Sequence, residues 1–118
     1  MMKYTGSCHC GAVKFSFDAD EITSGLRCTC SLCVRKGAMM SPEPVAQDKF
    51  KIDADEKNLG LYQFDTKVAK HYFCKQCGIY TFHETLRKPG HLRANLGCID
   101  NLDSSAFEVN IFDGKNLL

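Results

Sequence analysis

The sequence predicts a mainly β fold, built of small antiparallel sheets with little helix. Short segments rich in β-branched and aromatic residues recur along the chain, a pattern typical of strands joined by turns. No window of about 11 or more residues shows a sustained 3.6-residue apolar period, so no long amphipathic helix is expected. With 118 residues, the chain is long enough for one compact domain and too short for two. We therefore expect residues 1–118 to form a single domain.

The first clear strand signal is the alternation within residues 12–17. Val13, Phe15 and Phe17 are apolar at every second position, so one face of this strand should be buried. The other expected strands share its enrichment in β-branched or aromatic residues. In chain order, the predicted strands are 12–17, 49–52, 59–64, 71–73, 79–83, 91–96 and 107–112. Sheets as small as these leave a thin core.

Two short segments between the strands have signals of their own. A helical turn is expected over 31–35, because the Ser and Thr residues around Cys30 are favourable helix N-caps. The segment 41–44 contains Pro42 and Pro44, which cannot extend a helix, and it is therefore expected to be a loop.

Composition and charge argue against several classes of function. The 15 Lys and Arg residues against 14 Asp and Glu residues give a formal net charge of +1, so no large field draws the chain to nucleic acid or to an anionic membrane. The chain begins without the apolar region of a signal peptide, and it has no apolar run of the roughly 18 residues that span a bilayer. We therefore expect a cytoplasmic protein. In that reducing compartment, dense cysteines favour metal binding over disulfides.

Two of the three cysteine clusters together predict a closed metal site. Cys8 and Cys10 lie two residues apart, which directs both side chains to one side of an extended backbone. Cys74 and Cys77 form a C-x-x-C turn, and Gly78 permits the tight backbone turn that follows it. The four thiolates make a set typical of structural zinc, which would reinforce the thin core. The alternative is two disulfides or free buried thiols.

The third cluster predicts an open metal site. Cys28, Cys30 and Cys33 place three thiolates within six residues, and no cysteine pair is left to complete them. A zinc ion with three protein ligands keeps a fourth position for water or substrate, as a catalytic site requires. Three thiolates give the ion a net charge of about −1, so it activates water poorly but holds a further soft thiolate well. The alternative is a second structural site that Cys98 or a histidine closes.

The remaining candidate ligands and charges give weaker signals. A lone cysteine such as Cys98 is most often a small buried hydrophobe, and lone histidines are more often structural than ligating. The four histidines are His9, His71, His83 and His91. Several cations could line an anion-binding mouth, although scattered charges usually form a solvated surface. These cations are Arg35, Lys36, Lys67, Lys70, Arg87, Lys88 and Arg93.

Three cysteine motifs occur in a fixed order along the chain: GSCHCGAV at 6–13, CTCSLCVRKGA at 28–38 and HYFCKQCGI at 71–79. Together they resemble the motifs of the glutathione-dependent formaldehyde-activating enzyme family, which also includes centromere protein V. Segments 95–100 and 112–116 fit the same family. The resemblance implies a β-tent fold of small antiparallel sheets stapled by zinc, and a single zinc-binding domain of this kind over 1–118.

The resemblance also implies a division of the cysteines between two zinc ions per chain. In that family the C-x-C and C-x-x-C motifs form the structural site, here Cys8, Cys10, Cys74 and Cys77. The C-x-C-x-x-C motif forms the catalytic site, here Cys28, Cys30 and Cys33. The name-giving enzyme condenses formaldehyde with glutathione to S-hydroxymethylglutathione, and the family is grouped with the carbon–sulfur lyases.

Two functions from different classes follow. The first is a zinc-dependent, carbon–sulfur lyase-like enzyme, in which a small thiol such as glutathione binds at the three-cysteine zinc and is added to, or released from, an aldehyde-type carbon. Its candidate general acids are Thr29, Ser31 and His71. The second is a non-catalytic zinc module that binds a protein or nucleic acid partner, with both zinc sites structural; the near-neutral charge argues against nucleic acid. A cysteine-based redox protein is a weaker third possibility, because the C-x-x-C does not precede a helix in a βαβ pattern.

Overall fold

The structure is a computed structural model that describes residues 1–63 and 69–117. The described residues form ten short strands, two short α-helices and three 3-10 turns. The strands are β1 (Met2–Ser7), β2 (Val13–Ala19), β3 (Ser24–Cys28), β4 (Val45–Ala46), β5 (Phe50–Ala54), β6 (Leu59–Tyr62), β7 (Lys70–Cys74), β8 (Tyr80–Glu84), β9 (His91–Ala94) and β10 (Glu108–Phe112). The helices are α1 (Ser31–Lys36) and α2 (Gly114–Leu117), and the 3-10 turns are Gln47–Lys49, Glu56–Asn58 and Leu96–Cys98. The fold is therefore mainly β with little helix, which confirms the fold class predicted from the sequence.

The first sheet has three antiparallel strands in the order β1-β2-β5. Its buried face is the predicted alternation, because Val13, Phe15 and Phe17 are each at most 3% exposed while Lys14 between them faces solvent. Phe50 of β5 stacks on Phe15 and Phe17, with ring centroids 5.5 and 5.4 Å apart. This aromatic face forms one half of the core.

The second sheet supplies the other half of the core and has five antiparallel strands in the order β4-β9-β8-β7-β6. Phe82 of β8 is fully buried against Phe15 and Phe50 of the first sheet, with ring centroids 5.6 and 5.2 Å apart. Two cysteine motifs lie at the ends of strands of this shared core, since Cys8 follows β1 and Cys74 ends β7. The packing of the two sheets therefore brings distant cysteine motifs to one edge.

The third sheet consists of β3 and β10, which run parallel. Strands joined by a hairpin must pair antiparallel, whereas these two are separated by most of the chain and no turn fixes their direction. Their register places Phe112 beside Cys28. The pairing therefore brings the C-terminal segment against the cluster that begins at Cys28.

Most predicted strands occur within two residues of their expected limits. The strand expected over 59–64 is present as Leu59–Tyr62, and Phe64 lies outside the described residues. Strands β1, β3 and β4 were not predicted. The inward positions of β1 include Tyr4 and Gly6, and a glycine contributes no apolar signal to an alternating pattern.

The helical turn expected over 31–35 is present as α1. Its N-cap is Cys30 rather than a hydroxyl residue, and the Cys30 sulfur accepts the backbone N–H of Cys33 at 3.4 Å. Gly37 ends the helix with φ 68°, a conformation that glycine adopts at little cost. The segment 41–44 contains no helix, as expected. No helix in the described part of the chain is long and apolar enough to cross a membrane.

Candidate metal centres

The first candidate centre brings together the turns that follow β1 and β7. Cys8 and Cys10 come from the turn after β1, and Cys74 and Cys77 from the turn after β7. Gly78 has φ 80°, and its N–H donates to the Cys74 carbonyl at 2.8 Å, which closes the second turn. The four cysteine sulfurs lie within 4.8 Å of one another. All eight cysteines of the chain are free, so neither disulfide of the alternative interpretation is present.

The spacing of these sulfurs fits a zinc ion. Sulfurs held tetrahedrally about 2.3 Å from zinc lie about 3.8 Å from one another, whereas the sulfurs of a disulfide are about 2.05 Å apart. The Cys10 sulfur lies 3.7 Å from that of Cys8 and 3.6 Å from that of Cys74. Four soft donors at this separation could hold a metal ion and are consistent with zinc.

Backbone N–H groups point at the sulfurs and favour their ionised form. Val13 donates to Cys8 at 3.3 Å, while Gln76 and Cys77 donate to Cys74 at 3.3 and 3.4 Å. Burial by itself would raise the pKa of the Cys8 thiol, but the Val13 N–H and the thiols of Cys74 and Cys10 hold that pKa below its ordinary value. The turns therefore supply hydrogen bonds suited to thiolates, as a metal site requires.

The second candidate centre is built on a strand end and a helix start. Cys28 ends β3, Cys30 caps α1 and Cys33 lies in its first turn, so all three side chains converge within 4.8 Å. The N–H of Cys30 donates to the Cys28 sulfur at 3.4 Å. Among the described residues, neither a histidine nor a fourth cysteine joins this set. The three thiols could hold a metal ion with one position left for another ligand.

The C-terminal segment closes over the backbone of the second centre. The Thr29 N–H donates to the Phe112 carbonyl at 3.0 Å, and the Lys115 N–H donates to the Thr29 hydroxyl at 3.2 Å. Gly114 is buried so close to the cluster that a Cβ there would lie 2.3 Å from the Cys28 sulfur. The sequence did not reveal this role of Gly114. The one sign of it was that Gly114 lies in segment 112–116, which resembles the family motifs.

A cleft of about 850 Å³ opens at the second centre, and all three cysteines line it. Six cations line the same cleft, namely Arg35, Lys36, Arg87, Lys88, Arg93 and Lys115. None of the described residues that line it is Asp or Glu. Five of the predicted cations thus surround the three-cysteine set, whereas Lys70 is not among the lining residues and Lys67 lies outside the described part of the chain.

The four histidines occupy different environments. His71 and His83 line the cleft beside the second centre, and both lie within hydrogen-bond distance of the Tyr80 hydroxyl. His9 is exposed between the cysteines of the first centre, and His91 lies in β9. Sequence reasoning did not identify Tyr80, because its partners come from α1 and from both strands of the β7–β8 pair.

The structure also shows the surroundings of Cys98 and of the three candidate general acids. The half-buried Cys98 joins neither cysteine set, and its sulfur lies 3.7 Å from the Tyr80 carbonyl oxygen. The Thr29 hydroxyl holds the C-terminal segment, and Ser31 is exposed at the start of α1. Of the three candidate general acids, His71 is buried next to the cleft.

Zinc affinity at the second centre should depend steeply on pH. Burial raises the pKa of Cys33 to about 12 and also raises the pKa of Cys28, so both remain protonated thiols near neutral pH in the metal-free protein. Each must release its proton to bind zinc, so the affinity should rise at least about a hundredfold per pH unit between about pH 6 and 8. Competition with a chelator, corrected for the chelator's own protonation, measures this slope. A slope below about tenfold per unit would show that the two thiols are already ionised.

Fold and sites together define a small β protein with two cysteine sets, each of which could hold a metal ion, one of them in a basic cleft. A family model described as glutathione-dependent formaldehyde-activating enzyme matches residues 3–115, and the chain belongs to that family. It is also similar to a solved structure, the crystal structure of a protein from Rhodobacter sphaeroides. The two are 32% identical with a TM-score of 0.79, and the match covers 90% of this chain and 99% of that one.

Proposed function

We propose that this chain is a two-zinc enzyme of the carbon–sulfur lyase type that joins a small anionic thiol, such as glutathione, to an aldehyde carbon or separates the two. In this proposal Cys8, Cys10, Cys74 and Cys77 hold a structural zinc ion, and Cys28, Cys30 and Cys33 hold the catalytic one. Membership of the glutathione-dependent formaldehyde-activating enzyme family supports the substrate pair.

The observation that carries the proposal is the contrast between the two cysteine sets. The four-cysteine set offers a full tetrahedron, and its Cys8 and Cys74 are 3% and 0% exposed. The three-cysteine set offers three donors and lies in the wall of a cleft large enough for a tripeptide-sized ligand. A closed set suits a structural ion, and an open set suits a substrate-binding one.

The charge of the cleft supports an anionic thiol. Glutathione carries two carboxylates, and the cleft presents six cations with no Asp or Glu among its described lining residues. Four of the cations are already engaged by the protein: Arg93 donates to the Ser41 carbonyl, Arg35 donates to the Ser31 carbonyl, Arg87 lies 4.5 Å above the Phe112 ring, and Lys36 donates to the Tyr80 hydroxyl. Lys88 and Lys115 remain as flexible ammonium groups suited to carboxylate binding.

The reaction requires the thiol proton to leave, the sulfur to attack carbon, and the oxygen to be protonated. Cys28, Cys30 and Cys33 would hold the zinc ion, which would supply a position that stabilises a substrate sulfur as thiolate. Lys88 and Lys115 orient the thiol by its carboxylates. The thiolate electron pair forms the carbon–sulfur bond and the carbonyl π pair moves to oxygen. Water accepts the thiol proton and supplies the hydroxyl proton, and the reverse reaction breaks the same bond.

Replacing Cys30 with serine should abolish catalysis. The test is NMR exchange spectroscopy of glutathione and formaldehyde with zinc-loaded protein, which measures the rate of adduct formation above the spontaneous rate. The unmutated protein should accelerate exchange, and the Cys30→Ser variant should return it to the spontaneous rate, because the three-cysteine set is incomplete. Equal acceleration by both proteins would contradict the assignment of the site.

The same preparation separates this enzyme from a zinc module whose two sites are both structural. In the proposed enzyme, one zinc ion exchanges slowly and is indifferent to glutathione, while the other changes its exchange rate or its spectroscopic signature when the thiol is added. Cobalt substitution makes both sites visible by their thiolate absorption. Two tightly held ions that glutathione leaves unperturbed would favour the module.

A further inference from the structure

Beside the three-cysteine set lies a group of hydrogen-bonded side chains that the proposed function does not use. We call it the Tyr80 cluster, and it comprises Lys36, His71, Tyr80 and His83. The Tyr80 hydroxyl lies 2.7 Å from Nδ1 of His71, 2.9 Å from Nδ1 of His83 and 3.2 Å from Nζ of Lys36. Lys36 Nζ also lies 4.3 Å from the centre of the Tyr80 ring. Four side chains from α1, β7 and β8 thus meet at one oxygen atom.

The three partners match the capacity of a tyrosine hydroxyl, which donates one hydrogen bond and accepts two. An ammonium group can only donate, so Lys36 donates to the Tyr80 oxygen. One histidine then donates its Nδ1–H to that oxygen and the other accepts the tyrosine proton. Burial and the nearby Lys36 lower the pKa of His71 to about 4 and hold that of His83 well below its ordinary value. Both histidines are therefore neutral, and the positive charge of the cluster belongs to Lys36.

The position of Lys36 directs this charge towards the reaction. Lys36 lies one helical turn after Cys33 in α1, and burial lowers the pKa of its ammonium while the nearby sulfurs of Cys33, Cys30 and Cys28 oppose that shift. It lines both the large cleft and a second cavity of about 570 Å³, so it forms part of the wall between them. No Asp or Glu lies among the described residues that line either cavity. The ammonium is therefore not neutralised by a carboxylate there.

We propose that Lys36 is a catalytic residue of the reaction proposed above, donating a hydrogen bond to the aldehyde oxygen as negative charge develops on it. This inference rests on the proposed function. The sulfur electron pair forms the carbon–sulfur bond, the carbonyl π pair moves to the oxygen beside Lys36, and water then protonates that oxygen. A preformed donor at a developing oxyanion acts mainly on the transition state. Tyr80, His71 and His83 are positioning residues, because they hold the Lys36 ammonium in place through the Tyr80 hydroxyl.

The principal test replaces Lys36 with methionine, which has a similar length and no charge. Removing one oxyanion donor typically costs about a hundredfold to a thousandfold in kcat, so kcat should fall by about a hundredfold while the KM for glutathione changes less than about threefold. Lys36→Arg keeps the charge and should recover part of kcat. Tyr80→Phe should lower kcat, again with little change in KM, because it frees the ammonium. Lys57→Met is the matched control, since Lys57 is an exposed partner of Asp55 outside both cavities.

A binding measurement tests the same contact without turnover. S-formylglutathione carries a carbonyl oxygen two bonds from sulfur, where the reacting oxygen lies, and S-ethylglutathione lacks that oxygen. Calorimetry should show that the unmutated protein prefers the formyl compound by about tenfold, as expected for one hydrogen bond to a charged donor. In Lys36→Met this preference should vanish, with the affinity for S-ethylglutathione unchanged. Circular dichroism and zinc content establish that the variants are folded and loaded.

The outcomes distinguish this inference from the function on which it rests. An unmutated protein that does not accelerate adduct exchange overturns the proposed function and this inference together. An active protein whose Lys36→Met variant keeps kcat within about threefold, or loses activity through KM and through weaker binding of S-ethylglutathione, overturns the inference alone. In that case Lys36 is an ordinary cation of the binding cleft.

Discussion

Replacing Cys74 with serine will unfold this protein, whereas replacing Cys30 with serine will leave it folded. Cys74 is fully buried, and its sulfur lies 3.6 Å from that of Cys10, 64 residues away in the sequence. A zinc ion at the four-cysteine set would therefore join β7 to the turn after β1 and close the two-sheet core. Structural zinc contributes about 10–16 kcal/mol in small zinc peptides, whereas a whole domain is stable by about 5–15 kcal/mol. If the set holds zinc as proposed, loss of one ligand there would remove most of the net stability.

Cys30 is the matched control because it belongs to the other set. It is half-buried, caps a six-residue helix and lies outside the aromatic core. Serine is itself a good N-cap, so Cys30→Ser preserves α1. Far-ultraviolet circular dichroism and thermal unfolding should show a folded Cys30→Ser protein with one zinc ion, and no cooperative transition for Cys74→Ser. Equal loss of structure in the two variants would contradict the division into a structural and a catalytic set.

Replacing Gly114 with alanine will disable the three-cysteine centre without unfolding the chain. The added Cβ would lie 2.3 Å from the Cys28 sulfur and 3.1 Å from Cβ of Cys30, distances at which atoms must move. Either the C-terminal segment lifts away or Cys28 turns out of the set. Both movements break the convergence of the three sulfurs, so zinc affinity at this centre should fall by about tenfold to a hundredfold, as when the support of a metal ligand is removed.

Gly97→Ala is the control for the loss of a glycine. A Cβ at Gly97 would come no closer than 3.4 Å to its nearest neighbour, the Asn95 side-chain oxygen, which is ordinary contact. Metal analysis after dialysis should find two zinc ions per chain in Gly97→Ala and one in Gly114→Ala, with both proteins folded by circular dichroism. If Gly114→Ala held two zinc ions as tightly as the unmutated protein, the C-terminal segment would be able to move aside without weakening zinc binding at the three-cysteine centre.

The sequence was most informative about structure where a strand has one apolar face. The alternation of Val13, Phe15 and Phe17 predicts both the strand and its buried side, because successive side chains of a strand point to opposite faces. The same reasoning could not find β3, whose pairing with β10 depends on the rest of the fold. The one buried position of β3 is Gly25, and a glycine contributes no apolar signal to an alternating pattern.

The candidate sites divide in a similar way. Motif spacing groups Cys28, Cys30 and Cys33, since sulfurs within six residues of one another can reach a common point. Spacing does not reveal that Lys36 and Tyr80 meet beside them, because Tyr80 lies 44 residues further along the chain. Nor does it reveal that a Cβ atom at Gly114 would clash with the Cys28 sulfur.

The sequence by itself determined the mainly β fold, the family and the three cysteine motifs, because each depends on periods, spacings and short motifs of a few residues. The sequence also assigned the C-x-C and C-x-x-C motifs to one set, because together they supply four thiols. Only the tertiary structure decided which set borders a cleft, which cations surround it, and which tyrosine and histidines hold Lys36. Those contacts join residues from distant strands, and their distances follow from how the sheets pack rather than from any local pattern. The charge that surrounds the open cysteine set is therefore a property of the folded chain, whereas the set itself can be read from the sequence.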